Sequence, residues 1–437
     1  GKTALVAELV RRNPGGRVLA YHFCTSAAFM VDPASFVRSV AGMLATSIRS
    51  YAEQLSSGKL ASWLTAADPA TMLSQGVLAP LRDVAMDGAY CVVIDALDEA
   101  LAAGGPLPAL LANALPEFPP WLRLLVTSRP HQRIQRMFRQ ADGCLLDDRS
   151  GEHLADLQAF ITGRLADPAV SAIVAPGELE QATAQISSIA AGNFQYAVTL
   201  LDAVAEGEIT AATLNHLPPK LEDLYYHRAR QRFPNPPDYR LARQVLTLLL
   251  AAHEPLTLAT LIALSGLDPD TELQPTLDAI SCFASSTATG WHIAHKSIAD
   301  WLVSPDAGQF TVDLAPAQQR LLTYCRSWAT SNDSYALRHV IGHLLDAGQT
   351  DEALHAVQQG LFSHRRSRLE EPRLDTEDSR SLTDELVSQG DQADIVALAT
   401  TSNVWQRDGV ASALQSAPPD KLPFIDAVVG ALLAVPA

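Results

Sequence analysis

Three short apolar runs constrain the fold of this chain more than any other feature. They are RVLAYHF at 17–23, AYCVVID at 89–95 and WLRLLVTSR at 121–129. A run that is apolar at nearly every position, without polar alternation, is the pattern of a strand covered on both faces. Long helical stretches separate the three, so they cannot pair as tight hairpins; they predict a parallel sheet with helices on both faces. Leu5, Val6, Leu9 and Val10 share one face of a helix over 4–12, which Pro14-Gly15-Gly16 ends. Asp32-Pro33 opens the next helix, with Phe36, Val40 and Leu44 as its apolar face. Further helices are expected near 70–87 and 106–115, and GCLLDD at 143–148 reads as one more strand.

From about residue 152 the strand signals nearly vanish. Helical segments are expected near 152–166, 176–206 and 219–232. Residues 239–303 read as a helix-turn-helix block that closes in a hairpin, CFASSTATGWHI. The tail, 312–437, is helical. Within it YALRHVIGHLLDAGQTDEALHAV is a helical hairpin turning at Gly348, the beginning of a solenoid. The polar stretch 363–382 is expected to be a loop or linker.

Composition narrows the function classes. Of the 437 residues 48% are hydrophobic and 18% charged, a globular balance, and the formal charge is −16. Such a chain repels nucleic acid and anionic membrane unless a basic patch overrides its field. The only dense basic run found is SHRRSR at 363–368, followed at once by LEEP, and it reads as a solvated loop. Five cysteines, with no Cys-x-x-Cys pair, fit reduced thiols and a cytoplasmic location. The longest clean apolar run, AVVGALLAVPA, falls short of the roughly 20 residues that a membrane span needs. No nucleic acid and no membrane are therefore expected as partners.

Three pieces carry chemistry. Gly1-Lys2-Thr3 stands directly before an amphipathic helix. In a phosphate-binding loop the backbone N–H groups cradle phosphate oxygens, Lys reaches the terminal phosphates and the Thr hydroxyl ligates Mg2+. VVIDALDEA places Asp95 at a strand end, where a carboxylate can hold Mg2+. Asp98 and Glu99 follow, and one of them can orient or deprotonate an attacking water. LLVTSRP ends a third strand and sets Arg129 at the carboxyl edge of the sheet, where its guanidinium can contact a γ-phosphate. Taken singly, the tripeptide fits a chance match, the acids fit a helix start complementing its dipole, and Arg129 fits a surface cap.

In this order, GKT, IDALDEA and VTSRP resemble the Walker A tail, Walker B and sensor 1 of NACHT-type NTPases, within the STAND class of signalling ATPases. YHFCTSAAFMVDPASFVRSVAGML is similar to that family's second strand and following helix, and GNFQYAVTLLDAV to its small helical domain. LPPKLEDLYYHRARQRF and WHIAHKSIADWL resemble the start and end of its winged-helix domain. The resemblance covers roughly residues 1–305. It implies an α/β P-loop NTPase core with a parallel sheet and helices on both faces, followed by mostly α-helical domains including a winged helix. The division it implies is an NTPase core at 1–150, a small helical domain at 151–215, a winged helix at 216–310 and a helical arm at 311–437. ATP/ADP and Mg2+ are the implied cofactors. Gly1, Lys2, Thr3, Arg129 and His295 would bind nucleotide, Thr3 and Asp95 the metal, and Asp98 and Glu99 would serve catalysis. His295 matches the winged-helix histidine that holds the ADP β-phosphate in related proteins. The family's adenine-contacting proline is replaced by Asn193-Phe194, so that contact has no assigned residue.

The function so implied is a switch, locked by ADP and oligomerising through the NTPase domain when ATP is bound, with protein partners on the helical C-terminal region. Hydrolysis would be slow. Because the chain starts inside a motif and lacks an initiator Met, it is expected to be a piece of a longer one, inactive for want of half the phosphate loop. Over 235–310 three Lys/Arg face eight acids, which argues against a DNA-reading winged helix. A nucleotide-free helical scaffold with a vestigial NTPase domain is the alternative from another class; a motor-type ATPase lacks its basic channel.

Overall fold

The structure is a computed structural model. It describes residues 2–24, 33–58, 60–64, 68–102, 106–144, 150–167, 179–209, 217–330, 333–417 and 419–434. The chain divides into two compact units, Gly1–Asp142 with Leu344–Ala437, and Gly143–His343.

In the first unit the three apolar runs form a parallel sheet of order β1-β2-β3, with β1 at Val18–Phe23, β2 at Tyr90–Asp95 and β3 at Leu122–Val126. Side chains alternate across β2, so Val93 faces one side and Val92 and Ile94 the other. Val93 and Val18 pack with Val6 from the helix Lys2–Arg12. Val92 and Ile94 join a larger cluster with Phe36, Val40 and Leu44 from the helix Pro33–Ser47. Asn13 joins this first helix to the sheet: its Oδ1 accepts from Val18 N at 2.8 Å and its Nδ2 donates to Val18 O at 3.0 Å. That tie brings the C-terminal end of the helix to the start of β1.

The expected 70–87 helix runs from Pro69 to Arg82 and is wound as a π-helix over Met72–Leu78. The Gly76 carbonyl in this segment accepts the Tyr51 hydroxyl at 2.7 Å, and a Cβ at Gly76 would come within 2.8 Å of Leu64 Cδ2. The helices Arg49–Ser56 and Ala61–Leu64, which supply Tyr51 and Leu64, escape the periodicity reading. Of the fourth strand, Gly143 and Cys144 are irregular and the rest lies outside the described residues.

The stretch 363–382 departs most from expectation. It is helical, in Leu361–Leu369 and Arg373–Gln389, and Arg365 within SHRRSR is fully buried. Arg365 reaches Asp375 Oδ1 at 2.8 Å and Asp378 Oδ2 at 2.5 Å, and its guanidinium lies over the Phe362 ring. Asp375 is also fully buried and accepts further from Arg366 and Asn403. The charges that suggested solvent are neutralised by acids one helix further on. The helices Arg373–Gln389 and Val404–Ser416 touch at Gly409, where a Cβ would stand 2.8 Å from Ser379 Cβ and closer still to the Thr376 carbonyl.

In the second unit the expected 176–206 helix is two helices, Leu179–Ala190 and Phe194–Ala205. Ala191 and Gly192 take positive φ at the break, and Asn193 caps the second helix by accepting from Tyr196 N. With Gly151–Leu165 these helices close a core of Leu157, Ile161, Ile186 and Leu200. Downstream, the helices Tyr239–Ala251 and Leu258–Ser265 precede an antiparallel hairpin, β4 at Ala284–Thr287 and β5 at Gly290–Ile293, and the helix Lys296–Val303 follows. Gly290 has φ 140°, and a Cβ there would lie 2.6 Å from Leu256 O. Only glycine permits the Leu256–Trp291 backbone pair beside it. Arg228, 2% exposed, is held by Glu206 and Glu208 at 2.7 Å each. Among the described residues no helix is long and apolar enough to cross a membrane.

Candidate functional site

The carboxyl edge of the sheet gathers the acidic residues and Arg129. Asp95 ends the central strand and is 1% exposed. A carboxylate so buried needs fixed donors. Thr127, at the end of β3, supplies one: its hydroxyl donates to Asp95 Oδ1 and accepts from Ala96 N at 3.0 Å. The backbone locks the same pair of strand ends, with Thr127 N donating to Ile94 O and Leu97 N to Thr127 O, both at 2.9 Å. To make this turn Ala96 adopts φ 56°, a left-handed backbone that an alanine takes only against a steric penalty. Strain beside a buried carboxylate is the pattern of a functional site.

Asp98 and Glu99 lie in the first turn of the helix Leu97–Ala102, directly beyond that turn. Asp98 Oδ1 accepts from Arg129 N at 3.0 Å, and its Oδ2 lies 3.7 Å from Arg129 Nε. Asp98 is therefore engaged in fixing the backbone that carries Arg129, whose side chain remains 59% exposed. Cys24, just past β1, reports how closely the acids converge. Burial first, then the charges of Asp95, Glu99 and Asp98, push its thiol up to about 12. Cys24 N also donates to Asp95 O at 3.0 Å.

Of the residues singled out in the sequence, Gly1 lies outside the described residues. Lys2 and Thr3 begin the first helix, Lys2 half-buried and Thr3 exposed. Asp95, Asp98, Glu99 and Arg129 share the sheet edge. His295 belongs to the other unit, where it caps the helix Lys296–Val303. Its Nδ1 accepts from Ser297 N at 3.1 Å and lies 2.7 Å from Ser297 Oγ, which in turn meets the Tyr225 hydroxyl at 2.7 Å. An acceptor at Nδ1 places the ring proton of the neutral imidazole on Nε2. Asn193, next to the unassigned adenine contact, is occupied in capping.

Two contributors escape the sequence reading. Thr127 was visible only as part of a strand end, and the signal that could have marked it is a hydroxyl residue at the carboxyl end of the strand beside Asp95. Cys24 stands within the stretch YHFCTSAAFM, where it has no assigned role of its own. Together the edge offers one shielded carboxylate, two acids on a helix start and one outward guanidinium, a set suited to holding a divalent cation and an anionic oxygen near each other.

A family model described as nephrocystin 3, N-terminal, matches residues 1–129, a span that contains all three parallel strands and ends at Arg129. No solved structure matches the chain.

Proposed function

We propose that this chain is the nucleotide-responsive part of a STAND-type, NACHT-like switch that binds ATP/ADP with Mg2+. The observation that carries the reading is the buried Asp95 at the end of the central parallel strand, clamped by Thr127 beside the left-handed Ala96. Phosphate chemistry requires such a carboxylate at the same sheet edge as a helix N-terminus, the role this reading gives to the first turn of the helix Lys2–Arg12. On this reading the Gly1–Thr3 segment takes the β- and γ-phosphates, Lys2 by charge and Thr3 through Mg2+. Asp95 holds the hydrated metal and Glu99 polarises the attacking water. Asp98 positions Arg129 to meet a γ-phosphate.

The helices and hairpin of 239–303 would then serve as the winged helix. His295, fixed through Nδ1, would present an Nε2–H donor suited to an ADP β-phosphate oxygen. ADP would favour a closed form. ATP would favour an open one that oligomerises through the NTPase domain, leaving the helical C-terminal region to protein partners in the cytoplasm. A nucleotide moves such an equilibrium only through contacts that differ between the two states, and Arg129 and His295 supply the difference.

The test is to purify the protein at its full natural length, denature it and identify released nucleotide by chromatography, alongside Lys2→Ala, Asp95→Asn and His295→Ala. The reading expects near-stoichiometric ADP, lost in the first two variants and released faster in the third. No released nucleotide, with no uptake of added ATP and Mg2+, would remove it in favour of the helical scaffold.

A further inference from the structure

The helix Ser334–Asp346 and the short loop after the helix Tyr239–Ala251 bring together a set of donors that the proposed switch does not use. His253, His343 and Asp346 each offer one ligand atom, and these three atoms lie within 4.8 Å of one another. His343 and Asp346 stand about one turn apart on a single continuous helix, so their spacing follows from helical geometry alone. His253 comes from the loop, which is tied to the same helix at several points. Its backbone N donates to the Tyr335 hydroxyl at 3.1 Å. The next residue, Glu254, meets Arg338 and His339, each at 3.3 Å. Leu256, two residues further on, is held by its backbone pair with Trp291.

Two features show that the histidines are placed by the surrounding structure. Gly342 stands inside the helix, where glycine costs helix stability, and a Cβ there would come within 3.0 Å of His253 Cε1 and Nδ1. The missing side chain gives the His253 ring its place against the helix. His343 is 3% exposed, and its Nε2 lies 2.9 Å from the hydroxyl of the buried Tyr335. A hydrogen-bond partner on one nitrogen is what fixes the ring of a metal-binding histidine and leaves the other nitrogen, here Nδ1, to meet the cation. The His253 and His343 rings stack with 4.1 Å between centroids and 17° between planes. Parallel rings do not aim both lone pairs at one point, so His253, the exposed member, must turn out of the stack to bind. Two imidazoles and one carboxylate suit Zn2+ or Co2+ and disfavour Mg2+ and Ca2+, which take oxygen ligands. We propose that His253, His343 and Asp346 bind one Zn2+, with water in the fourth position, and that the ion ties the 252–256 loop to the helix Ser334–Asp346. The site needs no nucleotide and stands or falls independently of the switch proposed above.

Titration of the full chain with Zn2+ against a chromophoric chelator tests this, in excess Mg2+ so that the oxygen-rich sheet edge does not compete. Co2+ in parallel reports the coordination geometry through its visible bands. The expected result is one Zn2+ per chain. H253Q and D346N, both at exposed positions, should each weaken binding at least about tenfold. H355Q, at another exposed histidine, should leave it unchanged. His343 is buried, so its part is read by imidazole NMR on the unsubstituted protein: the ring signals of His253 and His343 should move on saturation and that of His355 should not. No Zn2+ uptake in excess Mg2+ overturns the proposal. So does either variant binding as tightly as wild type with unchanged circular dichroism, or a His343 ring signal that stays in place when Zn2+ is bound.

Discussion

Thr127→Val is the sharpest probe of the sheet edge. Valine keeps the shape of threonine and removes one hydroxyl. In the structure that hydroxyl makes two hydrogen bonds, donating to a carboxylate that is 1% exposed and accepting from Ala96 N. A hydrogen bond to a charged group contributes about 1.5–3 kcal/mol, and an orphaned donor such as Ala96 N–H costs about 1–3 kcal/mol. Thr127 and Ala96 are half-buried, so water recovers part of both, and a loss of about 2–3 kcal/mol is expected. The assay is hydrogen exchange at the amides of Ala96 and Leu97, which report opening of this turn. Protection should fall roughly 30- to 150-fold, at about 1.4 kcal/mol per decade. Thr127→Ser keeps the hydroxyl and should lose less than about tenfold. If valine leaves these amides as protected as wild type, or serine costs as much as valine, the clamp does not rest on the hydroxyl.

Arg365→Met should destabilise the C-terminal helices by about 3–5 kcal/mol, because Asp375 and Asp378 lose their main counter-charge in a buried setting; urea unfolding reads this, and a loss under about 1 kcal/mol would contradict it. Glu8 is held down to about 2 by hydrogen bonds from Arg11 and then Arg12. Its favourable contribution is therefore present above its ordinary value of 4.5 and disappears as pH falls through about 2. NMR titration should show that low midpoint, with return towards 4.5 in Arg11→Gln/Arg12→Gln. Cys24, with its thiol near 12, should resist alkylation at pH 8 while exposed Cys144 reacts. Asp95→Asn should speed Cys24 modification by removing a charge that opposes the thiolate. Equal rates at Cys24 and Cys144 would sink that account.

What the sequence made legible was the sheet. Runs that are apolar at nearly every position have few alternative structures, and all three became parallel strands within three residues of their expected ends. The acids and arginine at the strand ends were equally readable, because strand polarity alone puts them on one edge. Other features depended on partners distant in sequence. SHRRSR looks like a solvated loop until Asp375 and Asp378, about ten residues on, are folded against it. The break at Ala191–Gly192 was hidden because apolar periodicity continues on both sides, and only the positive φ and the Asn193 cap mark it.

The left-handed Ala96 also has an energetic consequence. An alanine held there lies about 1 kcal/mol above its relaxed backbone. Any event at the edge that lets the Asp95–Leu97 turn relax to an ordinary conformation recovers that energy, and about 1 kcal/mol shifts a two-state equilibrium roughly fivefold. Ala96→Gly would erase the stored energy while leaving every side chain of the edge in place. Energy of that size is too small to drive a transition alone and large enough to tilt one that is finely balanced.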